Sequence, residues 1–109
     1  ESQDGRNVLQ VSDGFTYTWD AKRKVGERVI PESVKLNGVA LDDQREYRIV
    51  ANNFIAGGGD RVAMFLQGKN VIDTGIKDID VFMSYIKTRD QAGTPVGSDK
   101  PVGRVKRIN

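Results

Sequence analysis

Hydrophobic and polar positions alternate in short runs along the first part of the chain. The clearest run is residues 15–19, where aromatic residues alternate with threonine. This pattern predicts a strand with one buried face. Residues 8–11 form a shorter run of the same kind, and the sequence Ser-Asp-Gly at residues 12–14 separates the two. Because a glycine-containing turn between two such runs favours a hairpin, we predict that they pair.

Strand character returns over residues 28–36, although Pro31 interrupts it. Proline cannot donate a ladder hydrogen bond, so we expect an edge position or a break at that point. The dipeptide Asn37-Gly38 is the strongest short hairpin signal in the chain. It predicts that residues 33–36 pair with residues 39–41.

The second half of the chain begins with a strand pattern and later changes to a helical one. Residues 47–51 are the clearest remaining strand, and we expect a central place in a sheet because they end almost entirely apolar. From Asp78, the predicted N-cap, apolar residues recur at the spacing of one helical face. They are Ile79, Phe82, Met83 and Ile86. Lys87 and Arg89 complement the C-terminal end of this helix.

The order of these elements predicts the fold class. Residues 90–101 contain glycines and prolines and are predicted to form a loop, and residues 102–108 a last strand that docks into the sheet. Residues 1–7 are polar and are predicted to fray. The result is an α+β fold with a mixed, mainly antiparallel sheet and one clear C-terminal helix. A chain of this length fits a single domain, residues 1–109.

Composition excludes several classes of chemistry. The chain has 109 residues, a formal net charge of +2, and neither histidine nor cysteine. The common transition-metal ligand sets and the Ser-His-Asp and Cys-His catalytic arrangements therefore cannot be built from it. We assign the chain no catalytic residue, no metal ligand and no cofactor of its own. So small a basic excess does not indicate nucleic-acid binding, and no apolar run approaches the ~20 residues that span a bilayer.

The turn that follows the predicted central strand has the composition of a ligand-binding loop. Over residues 52–60, two asparagines offer amide donors and acceptors, and three successive glycines let the backbone approach a ligand closely. Asp60 is suited to accept hydrogen bonds from ribose hydroxyls. The glycine spacing is that of neither the P-loop nor the dinucleotide fingerprint. The alternative is a structural turn whose polar side chains only satisfy the backbone.

Ordered blocks of sequence around this turn resemble one known family. The blocks are residues 9–12, 17–20, 25–29, 37–42, 47–56, 58–60, 73–75, 80–81 and 85–86. Together they resemble the C-terminal domain of the 5′-nucleotidases, the group that includes bacterial periplasmic UDP-sugar hydrolases and the vertebrate ecto-enzyme. The resemblance extends from about residue 8 to residue 108, and as an ordered set it is specific.

The resemblance implies a division of labour. In that family an N-terminal metallophosphatase domain holds two divalent metal ions and hydrolyses the phosphate ester, and the C-terminal domain binds the nucleoside. We therefore expect this chain to be the later part of such a domain in a larger hydrolase, and not catalytic alone. Its expected partners are a nucleotide or other phosphate-ester substrate and the N-terminal domain of the same protein. The expected location is secreted, periplasmic or at the cell surface.

The same resemblance assigns the binding residues to the glycine turn and its flanks. The predicted substrate-binding residues are Asn52, Asn53, Phe54, Gly57, Gly58, Gly59, Asp60, Arg61 and Val62. Relatives have a base-stacking aromatic residue where this chain has Val62, so the stacking contribution of roughly 1–3 kcal/mol is lost at that position. Phe65 is a substitute or a core residue, and Arg61 either contacts the ligand or lies on the surface.

Two further hypotheses about the function stay open. One is a relative of altered specificity that handles a phosphate ester without a purine, which the missing aromatic at Val62 motivates. The other is an interaction module in which the glycine turn is only structural. Asp73, Thr74 and Gly75 have two interpretations of the same kind, a ligand-facing loop or a turn that leads into the helix.

Overall fold

A computed structural model of the chain describes residues 8–97 and 102–109. Residues 1–7, predicted to fray, and residues 98–101 of the predicted loop lie outside this part. The chain divides into two compact units, which are described separately. The first comprises Glu1–Gly68 with Gly103–Asn109, and the second Lys69–Val102.

The central strand of the first unit is β1, Phe15–Asp20. Tyr17 and Trp19 point to one face and are 6% and 5% exposed, whereas the threonine between them is only half-buried. This alternation is the one predicted from the sequence, because successive side chains of a strand point to opposite faces. The two aromatic residues form the core on that face of the sheet.

The predicted break and hairpin follow β1. Pro31 opens a short 3-10 helix, Pro31–Ser33, and is accommodated at its first position. Strands β2, Lys35–Leu36, and β3, Val39–Ala40, then pair antiparallel. Asn37 and Gly38, which join them, have φ of 51° and 79°. Positive φ at both central residues is what a type I′ turn requires, so the Asn-Gly prediction is confirmed for a physical reason.

Strand β4, Val105–Ile108, completes the sheet and runs parallel to β1. The order is β3-β2-β1-β4, with antiparallel pairs except for β1 and β4. Trp19 lies opposite Arg107, whose guanidinium carbon is 5.4 Å from the indole centroid, a cation–π contact that links the two strands. The predicted α+β class with a mixed, mainly antiparallel sheet is confirmed.

Two predicted strands, residues 8–11 and 47–51, do not form. Residues 8–11 lie outside the sheet: Tyr17 Oη donates to the Leu9 carbonyl at 2.7 Å, and Arg104 Nη1 donates to the Val11 carbonyl at 3.3 Å. The predicted hairpin with β1 is therefore wrong. Residues 47–51, predicted as a central strand, pair with no strand among the described residues. Val50 is 98% exposed there.

The second unit contains the predicted helix. We name the short helix of the first unit, Asn53–Ala56, α1, and this longer one, Asp78–Gln91, α2. The N-cap of α2 is Lys77 rather than the predicted Asp78. Asp78 is the first helical residue, and its side chain accepts a hydrogen bond from Ile79 N at 2.7 Å. At the other end Arg89 Nε donates to the Thr94 carbonyl at 2.6 Å. Within the described residues no helix is long and apolar enough to cross a bilayer.

Candidate functional site

The turn at residues 52–62 begins with a capped helical turn rather than with an open loop. Asn52 has extended backbone angles, and its side-chain oxygen accepts a hydrogen bond from Ile55 N at 2.8 Å. This is N-capping geometry, so the Asn52 amide oxygen is engaged by the start of α1. Asn53, the first helical residue, is exposed. This helix was not among the predicted elements, although the preference of asparagine for the N-cap is a local signal for it.

The three glycines serve different purposes. Gly57 caps α1, with its N–H donating to the Asn53 carbonyl at 2.9 Å, and its φ is an ordinary −81°. Gly58 reverses the chain with φ of 85°, a conformation that L side chains seldom adopt. A Cβ on Gly58 would also come within 3.1 Å of Leu66 Cδ1.

Gly59 is a position of close approach. A Cβ placed on it would lie 2.6 Å from the Phe54 carbonyl oxygen and 2.7 Å from Cδ1 and Cε1 of the Phe54 ring. The ring therefore lies directly against the glycine backbone. Phe54 is nonetheless 59% exposed. No spacing pattern in the sequence indicated this contact, since it depends on how α1 and the turn fold together.

Two residues after the glycines also adopt left-handed backbone angles. Asp60 has φ of 51° and Arg61 has φ of 62°. Such angles are uncommon outside glycine, and residues held in them cost of order 1 kcal/mol or more each. Both side chains are exposed. The turn thus presents a carboxylate and a guanidinium side by side in a backbone conformation that its surroundings must maintain.

Val62 ends this turn inside the protein. It is 3% exposed, and its N–H donates to the Gly59 carbonyl at 3.0 Å. Phe65, the first aromatic residue after the glycines, is half-buried. The structure thus brings the predicted binding residues together in one continuous turn, and all but Val62 lie at or near the surface. A ligand reaches the Val62 side chain only if the turn opens.

Other predicted features lie elsewhere. Asp73 and Gly75 form a local turn in the second unit, with Gly75 N donating to Asp73 Oδ1 at 2.8 Å. A shallow depression runs along α2, and no predicted binding residue lines it. Its lining residues are Ile76, Asp80, Val81, Ser84, Tyr85 and Thr88. Within residues 8–97 and 102–109, no three acidic side chains lie close enough together to hold a metal ion.

Comparisons with known proteins agree on one family. A family model described as "5'-nucleotidase, C-terminal domain" matches residues 1–67. The trifunctional nucleotide phosphoesterase protein YfkN of Bacillus subtilis is 33% identical over 109 residues, covering 97% of this chain and 7% of that protein. An apyrase of Tabanus yao is 35% identical over 89 residues, covering 76% of this chain and 16% of that protein.

A solved structure agrees with the sequence comparisons. The crystal structure of a 5′-nucleotidase precursor from Thermus thermophilus superposes with a TM-score of 0.72 at 33% identity, covering 89% of this chain and 19% of that chain. The chain therefore spans less than a fifth of the length of each of these relatives. Because the family model and these relatives agree over most of its residues, the chain belongs to the 5′-nucleotidase family and corresponds to its C-terminal domain.

Proposed function

We propose that this chain is the nucleotide- or nucleoside-recognition domain of a 5′-nucleotidase-like phosphoester hydrolase. The observation that carries the proposal is the turn at residues 52–62, which presents an exposed amide, an aromatic ring, a carboxylate and a guanidinium within a few residues of each other. These groups match the hydroxyls, base and phosphate of a nucleotide. Membership of the family supports the same function.

The hydrolytic step belongs to a different part of the protein in this proposal. The chain has no histidine or cysteine, so the usual ligands for a phosphatase metal pair have to come from elsewhere. We propose an N-terminal metallophosphatase domain of the same protein that holds two divalent metal ions, and residues 1–109 as the later part of its C-terminal domain. A secreted, periplasmic or cell-surface location goes with this proposal.

An activity assay on the pure 109-residue chain tests this division of labour. We expect no release of phosphate from AMP at any concentration of magnesium, manganese or zinc. The full-length protein should release phosphate under the same conditions. Turnover by the isolated chain would contradict the division, and failure of the full-length protein with every nucleotide would contradict the proposed hydrolase.

One observation favours a second candidate, a relative of altered specificity. Val62 is aliphatic and 3% exposed, so no aromatic ring faces a base from that position. A binding comparison between adenosine and a base-free ribose phosphate separates the two. Equal binding of both ligands favours the second candidate, whereas tighter binding of adenosine favours nucleoside recognition. A third candidate, an interaction module, predicts that neither ligand binds.

A further inference from the structure

We propose that Phe54 is the residue on this turn that stacks on the base of a bound nucleoside, a role that rests on the function proposed above. Stacking requires an aromatic ring with an accessible face. Position 62 holds a buried valine, and Phe65 is only half-buried. Phe54 is more than half exposed, so among residues 52–67 its ring is the most accessible aromatic surface.

The glycine backbone holds this ring in place. Because Cδ1 and Cε1 of Phe54 lie only 2.7 Å from the position that a Cβ of residue 59 would take, the edge of the ring packs on the Gly59 backbone. Helix α1 fixes the Phe54 backbone, since the Asn52 side chain caps the first turn. A base that stacks on such a ring does not have to order a mobile side chain, so little conformational entropy is lost on binding.

The groups next to the ring define the class of ligand. Asn53 precedes Phe54 and is exposed, and Asp60 follows Gly59 and is exposed. An amide can donate and accept at a base edge, and a carboxylate accepts from ribose hydroxyls. Stacking on one ring uses the π face that every base has. The ligand is therefore a nucleoside or nucleotide with weak discrimination among bases, and purines bind better because their ring system is larger.

Titration of the full-length protein with adenosine, followed by NMR of the ligand, tests this role. In the unaltered protein the base protons should move upfield on binding, because a stacked aromatic ring shields them. Phe54→Leu should weaken adenosine binding about tenfold and abolish the upfield movement. Phe54→Tyr should retain both. Phe82→Leu is the matched control, since Phe82 is a similarly exposed phenylalanine on α2, and it should behave like the unaltered protein.

A base-free ribose phosphate separates loss of stacking from loss of folding. Its affinity should be the same for the Phe54→Leu variant and the unaltered protein. If the unaltered protein shows the upfield movement and Phe54→Leu retains it at full affinity, the stacking role is overturned and nucleoside recognition stands. An equal loss in Phe82→Leu also overturns the role. If the unaltered protein binds no nucleoside, the proposed function fails, and the role of Phe54 fails with it.

Discussion

Replacing Gly59 with alanine tests whether the turn is packed as tightly as the structure indicates. The new methyl carbon would lie 2.7 Å from two ring carbons of Phe54 and 2.6 Å from its carbonyl oxygen. Ordinary carbon contacts begin near 3.5 Å, so the ring has to move by roughly 1 Å, and the carbonyl, which belongs to α1, has to move as well. Overpacking of this kind costs about 1–3 kcal/mol.

Gly57→Ala is the matched control for this substitution. Neither glycine has a positive φ, so the two variants differ in crowding and not in backbone strain. A Cβ on Gly57 would be 3.2 Å from the Asn53 carbonyl oxygen. That contact needs only a small shift, which the reduced entropy of the unfolded chain offsets by about 0.4–1 kcal/mol. We expect Gly57→Ala to stay close to the unaltered protein in stability.

The assay is urea unfolding of the three proteins, with the free energy of unfolding obtained by linear extrapolation. The slope of the free energy of unfolding against urea concentration should be the same for all three proteins, because the surface exposed on unfolding does not change. For a domain of about 100 residues, the expected loss in Gly59→Ala corresponds to a fall of about 4 °C or more in Tm. If Gly59→Ala is as stable as Gly57→Ala, the Phe54 ring does not lie on the turn as described.

Three other substitutions test separate parts of the structure by the same unfolding measurement. Ser33→Ala should lower the free energy of unfolding by about 1–3 kcal/mol, because Ser33 Oγ accepts from Thr18 N at 2.8 Å and the part-buried N–H is left without that partner. Ser33→Thr, which keeps a hydroxyl, should lower it less. Val62→Phe should lower the free energy of unfolding by about 1–3 kcal/mol, because the side chain is buried and the larger ring overpacks its site. It should also gain no affinity for adenosine, and tighter adenosine binding would show that position 62 faces the ligand. Asn37→Ala should lower the free energy of unfolding by about 1 kcal/mol, because φ at this position is positive, whereas Asn37→Gly should not lower it. Equal stability of these two variants would contradict the type I′ turn.

Features that depend on neighbouring residues could be predicted from the sequence. The alternation of threonine and aromatic residues over Phe15–Asp20 fixes which side chains are buried, and Asn37-Gly38 has the residues that positive φ requires. Residues 8–11 and 47–51 have comparable patterns but do not pair. Strand pairing is non-local, and the sides of β1 are taken by Lys35–Leu36 and Val105–Ile108.

The same distinction applies to the candidate site. Three glycines in succession predict a tight turn, and the structure contains one. The sequence of three glycines does not indicate that Gly58 has the positive φ or that Gly59 leaves space for the Phe54 ring. The burial of Val62 is likewise a tertiary property. The position of the turn therefore follows from neighbouring residues, whereas the side of it that faces solvent depends on how distant residues pack.

Nucleoside recognition by this turn is the central claim, and amide chemical shifts test it most directly. The full-length protein, with isotopically labelled glycine and asparagine, is titrated with adenosine to millimolar concentration. Recognition at the turn predicts saturable shifts at Asn53, Gly58 and Gly59, while Gly26 and Gly97, which lie in other turns, stay unchanged. Adenosine that binds to the protein but leaves the labelled asparagine and glycine amides of the turn unmoved would contradict the claim.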